Sequence, residues 1–66
     1  MTTSLVEDYM IANLQSQLAI QKVTLQTAQD NRQFPGMNVI AKVATALITE
    51  IENQLEPLLA KQNLEK

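Results

Sequence analysis

Phe34-Pro35-Gly36-Met37 is the one strong break in an otherwise uninterrupted pair of helical patterns, and the fold follows from reading it. Proline presets the second position of a type II turn, and glycine accepts the positive φ required at the third. The chain therefore reverses here. Before the break, nothing between Leu5 and Gln29 is glycine or proline. Ser4-Leu5-Val6-Glu7 reads as a capping box, with the Ser hydroxyl accepting from the helix's first amides and the Glu reaching back. Glu7 and Asp8 also suit the positive end of the helix dipole. A first helix is expected over about 4–31.

After the break, Asn38 offers an N-cap oxygen, and an apolar period of about 3.6 residues runs from Val39 to Glu56. Many of these residues are β-branched, which favours strands, but their spacing predicts a helix. Pro57 lies inside the continuing pattern, where it removes a hydrogen bond to Asn53 and crowds that carbonyl. Leu58, Leu59 and Leu64 carry the pattern on. The second helix is expected over about 38–63 with a kink or break near Pro57. The fold class is all-α: an antiparallel two-helix hairpin, with residues 1–66 as one domain.

A chain of 66 residues buries a small share of its surface on folding, so stability needs help from disulfides, a metal or association. There is no Cys and no His, which removes disulfides and the commonest ligands for transition metals. Association remains. Apolar residues make up 45% of the chain, only two of them aromatic, Tyr9 and Phe34. That composition suits helix bundles, and two hairpins pairing into a dimeric four-helix bundle would bury the excess.

Helical-wheel positions give the faces. On the second helix Ile40, Val43, Ala44, Leu47, Ile48, Ile51, Leu55, Leu58 and Leu59 form a stripe wider than one partner helix covers. On the first, Met10, Ile11, Leu14, Leu18, Leu25 and Ala28 face the hairpin partner, with Gln21 interrupting. The hairpin core is thus expected from Ile11, Leu14, Leu18, Leu25, Ile40, Ala44, Leu47, Ile51, Leu55 and Leu58. A second stripe on the first helix, Leu5, Tyr9, Ala12, Ser16, Ala19 and Val23 with Ile20 beside it, lies nearly opposite. It is the expected oligomer contact, since its small centre would admit another helix closely; tolerant surface positions are the alternative reading. Gln21, inside its stripe, and Gln54, bordering that of the second helix, would fix register if they met across the bundle. Phe34, with Pro35 and Gly36 in the turn, is expected to plug the bundle end against Ala28, Met37 or Ile40; an exposed anchor is the alternative.

No constellation carries catalytic chemistry. Glu52 and Glu56, or Glu7 and Asp8, could be imagined as a carboxylate metal site or acid/base pair, but they point outward and read better as solvated charge. No catalytic residue, cofactor or metal is expected, and the chain is not expected to be an enzyme. Net charge is −2, and Lys22, Arg32, Lys42, Lys61 and Lys66 are scattered where nucleic-acid binding needs a clustered basic face. No apolar run approaches the roughly 20 residues that span a bilayer, and no positive n-region opens the chain. A cytoplasmic protein with no membrane partner is expected. It would act as a non-catalytic interaction module, an adaptor, regulator or small chaperone working as a homo-oligomer with a protein partner. The alternatives are a structural subunit of a larger assembly and, third, a nucleic-acid-binding bundle dimer.

Overall fold

The computed structural model describes residues 5–64. It contains two helices, α1 (Leu5–Asp30) and α2 (Met37–Leu64), packed along each other in a body 51 × 15 × 15 Å. The chain is an all-helical antiparallel hairpin. Ser4, read as the cap of α1, lies outside the described residues.

The connection is held by backbone hydrogen bonds in succession. Asn31 closes α1 by donating both its amide (3.1 Å) and its side-chain Nδ2 (2.8 Å) to the Thr27 carbonyl, satisfying an end carbonyl that the helix itself leaves open. Phe34 N–H donates to Asn31 O at 2.9 Å, and Met37 N–H to Phe34 O at 3.3 Å. With Gly36 at φ +88°, the second of these is the type II turn that Pro-Gly specifies.

The start of α2 differs from expectation at Asn38. The helix begins one residue earlier, at Met37, and the Gly36 carbonyl accepts from Val39 N–H (3.2 Å) and Ile40 N–H (3.1 Å). Gly36 therefore holds the cap position, because its positive φ already aims its carbonyl along the new helix. Asn38 is left as an exposed first-turn residue.

The β-branched content of α2 is absorbed locally. Thr45 donates its hydroxyl to Ala41 O (2.8 Å) and Thr49 to Thr45 O (3.2 Å), as Thr24 does to Ile20 O (3.0 Å) in α1. Each threonine thus satisfies its polar atom inside its own helix. Helix α2 runs through Pro57 to Leu64 as one element. Pro57 and Asn53 are both exposed, so solvent can serve the carbonyl that the proline deprives of a donor.

The buried core is lopsided. Ile11 and Leu14 of α1 pack with Ile51 and Leu55 of α2, and Leu18, Leu58 and Leu59 close around them. All of these lie in the half of the hairpin away from the turn. Nearer the turn the buried residues are Ala28 and Ala44, each 1% exposed, with Leu25 and Ile48 half-buried. Two of the ten expected core positions are corrected here: Ile40 and Leu47 remain 40% and 41% exposed. Near Ile40 the seam is filled by Ala28 and Ala44, and both larger side chains stand on its flank. Phe34 is corrected too. At 56% exposure it does not plug the bundle end, and the chain reversal is held instead by Asn31 and the turn hydrogen bonds.

Candidate functional site

The surface is best built from the core outward. In α1 the positions facing α2 recur at alternating four- and three-residue steps: Glu7, Ile11, Leu14, Leu18, Gln21, Leu25, Ala28. In α2 the corresponding series is Met37, Ala41, Ala44, Ile48, Ile51, Leu55, Leu58. That seven-residue repeat is the pattern of two helices crossing at a shallow angle. It assigns a flank to every remaining residue.

One broad side of the hairpin carries Met10, Gln17 and Thr24 from α1 beside Ile40, Leu47 and Gln54 from α2. Two shallow grooves follow the seam on this side. One, about 300 Å³, is lined by Val23, Thr24, Thr27, Ala28, Met37 and Ile40; the other, about 260 Å³, by Tyr9, Met10, Asn13, Leu14, Gln17 and Gln54. The opposite broad side carries Asp8, Gln15, Lys22 and Gln29 with Asn38, Thr45, Glu52 and Leu59. Its grooves are bordered by Glu52, Glu56 and Asn63 at one end, and by Asp30, Arg32 and Asn38 at the other. The two sides are chemically unlike.

The stripe expected as the oligomer contact is placed on the outside of α1, away from α2. Leu5 is 87% exposed, Tyr9 71% and Val23 66%. Ala12, Ser16 and Ala19 between them are exposed as well. Tyr9 and Val23 also reach the seam grooves described above, so the stripe merges with the broad side at both of its ends.

Gln21 and Gln54 are not brought together. The Lys61 ammonium donates to Glu7 Oε2 at 2.8 Å, and that pairing fixes the register so that Gln21 stands opposite about residue 47. Seven further residues of helix separate Gln54 from that level, roughly 10 Å. Gln54 instead donates to Glu50 Oε1 at 3.3 Å within its own helix. Gln21 is half-buried.

Elsewhere the polar side chains pair along the helices, Gln17 with Asn13 at 2.6 Å and Gln26 with Asp30 at 2.9 Å. Among the described residues no three carboxylates are grouped to hold a metal ion. No helix is long and apolar enough to cross a membrane, again among the described residues. The arrangement offers surface for contact rather than converging reactive groups. The feature that sequence reasoning passed over is the joint surface of both helices, with Met10 and Ile20 on one and Ile40, Val43 and Leu47 on the other. Its signal, an α2 stripe wider than one partner helix covers, was read but was not joined to Met10 and Ile20 of α1. In comparisons with known proteins, the chain matches no family model, no curated protein and no solved structure.

Proposed function

We propose that this chain is a non-catalytic protein–protein interaction module that works as a homo-oligomer, with a dimeric four-helix bundle as its simplest form, presenting a helical face to a protein partner in the cytoplasm. Adaptor, regulator and small chaperone are the roles compatible with such a device. The observation that carries the reading is the contrast between core and surface. Among the described residues six form the buried core, two of them alanine, while twelve large apolar residues stand exposed, including Leu5, Tyr9, Val23 and Val43. Contiguous exposed apolar surface on so small a body marks an interaction site. It also matches the need of a chain that has neither cysteine nor histidine to staple it.

A second reading, a structural subunit in a growing assembly, draws on the same molecule. The outer stripe of α1 and the broad seam side face different directions although they meet at Tyr9 and Val23, and contacts between unlike surfaces propagate rather than close. Sedimentation and multi-angle scattering at micromolar to submillimolar concentration separate the cases. A fixed multiple of the chain mass supports the closed module, and a mass that climbs with concentration supports the assembly. A folded monomer throughout that range would sink both.

A further inference from the structure

We infer that the broad side carrying Met10, Ile20, Ile40, Val43 and Leu47 is the self-association face, and that its occupant is a second copy of this chain packed face to face. The inference rests on the proposal that the chain is an associating module, and assigns that association to a surface other than the outer stripe of α1.

Four observations converge on it. First, the intramolecular seam beneath this side is weakest near the turn, where Ala28 and Ala44 fill it. There the large apolar residues Ile40, Val43 and Leu47 stand on the flank, 40–52% exposed. A helix pair laid over them would complete the core that the hairpin leaves unfinished.

Second, charge separates the two sides. The seam-flanking positions of α1 on this side, Met10, Gln17 and Thr24 with Val6, Asn13, Ile20 and Thr27 next to them, contain no ionisable group. On α2 the charges are Glu50, which holds the repeat position of Val43 one heptad further on, and Lys61 at the open end, the latter paired with Glu7. Two identical copies meeting here bring few like charges together. The other broad side carries Asp8, Lys22, Lys42, Glu52 and Glu56, charges that two copies meeting there would have to desolvate.

Third, the area is sufficient. A side 51 Å long and 15 Å wide at the backbone is on the order of the ~800 Å² per partner of a standard stable interface. Fourth, the occupant must be on hand whenever the chain folds, because a hairpin with six buried residues among those described is marginal alone, and folding is then linked to binding. A second copy meets that condition at the chain's own concentration. The outer stripe through Ala12, Ser16 and Ala19 stays open in such a pair, available to the protein partner.

The test compares Val43→Glu with Ala19→Glu in the full chain. Sedimentation equilibrium and circular dichroism are followed over a wide concentration range. The expected result is a wild-type dimer, a dimer dissociation constant raised at least ~30-fold by Val43→Glu, and little change from Ala19→Glu. Because a variant may lose its fold together with its partner, Val43→Cys and Ala19→Cys supply an independent measurement in a chain that has no other thiol. Alkylation of Val43→Cys should slow about tenfold between dilute and concentrated solution, as expected for a group covered by association, and that of Ala19→Cys should not. A folded wild-type monomer overturns the underlying reading. A dimer that survives Val43→Glu, or protection at position 19 in place of 43, overturns the assignment of the face alone, and so does a mass that grows without limit.

Discussion

Gly36 is the residue on which the chain's reversal turns. Its φ of +88° lies where a side chain is disfavoured, although a Cβ built there would meet nothing within 4 Å. The cost of replacing it is thus one of backbone conformation and not of collision. Gly36→Ala is expected to lower stability by about 1–2 kcal/mol, with Gly36→Asn losing less because asparagine visits this region more readily. Urea denaturation at fixed chain concentration measures both; equal losses would mean that the cap carbonyl and not the dihedral sets the cost. The Glu7–Lys61 bridge is a different case. Its 2.8 Å contact joins partners that solvent reaches, the lysine more than half exposed, so Lys61→Ala should cost less than ~1 kcal/mol. That cost should shrink further in about 1 M salt, where charges are screened within ~3 Å. A salt-independent loss would point to packing of the lysine stem instead.

Among the elements, α2 makes the more informative test, because it contains Pro57 and continues through it to Leu64. Pro57→Ala returns the N–H that the Asn53 carbonyl lacks. Stability should rise by about 1–3 kcal/mol, with helicity rising too. An unchanged or falling thermal midpoint would show that Pro57 itself is needed by whatever α2 packs against. How much was legible before the structure also differs by element. The turn was read from two residues, and the helices from period and capping, because these depend on neighbours in sequence. What the wheel could not supply was the rotation of each helix about its axis and the register between them. Ile40 and Leu47 share a wheel sector with Ile51 and Leu55, and although Ala28 and Ala44 were expected to face the seam, nothing in the spacing says that Ile40 and Leu47 will stand on its flank. The same gap separated Gln21 from Gln54, which look paired on a wheel and stand several residues apart once Glu7 meets Lys61. Asn38 was passed over as a cap for a local reason, the carbonyl of Gly36 being already in place.

At the scale of the whole molecule, apolar surface and size argue together. An associating chain has a thermal midpoint that rises with its own concentration, by mass action on the folded form. A tenfold increase in chain concentration should therefore raise the midpoint by a few degrees, the size of shift expected for about 1 kcal/mol in a domain this small. A midpoint that stays constant across a hundredfold range would leave the hairpin stable by itself. The site was less legible than the fold for a reason that belongs to this scale: an interaction surface is shared between elements, and a reading taken helix by helix assigns each stripe to one of them. The stripe through Leu5, Tyr9 and Val23 was visible within α1, whereas the side formed jointly with Ile40, Val43 and Leu47 existed only once the helices were placed.

The lopsided core also fixes an order of events in time. Near the turn, Ala28 meets the start of α2 after closing only a short loop, while Ile11 and Leu14 reach Ile51 and Leu55 across a much longer stretch of chain. Loop-closure entropy grows with that length, so the zipper starts where its teeth are smallest and gains its grip last. The open end, tied by a contact between residues 54 apart, should then be kinetically the decisive one: the hydrogen-bonded amides of α1 beyond its first turn exchange with solvent only as fast as the Ile11–Leu55 cluster lets go. Once it does, little in the alanine-lined remainder holds the two helices together.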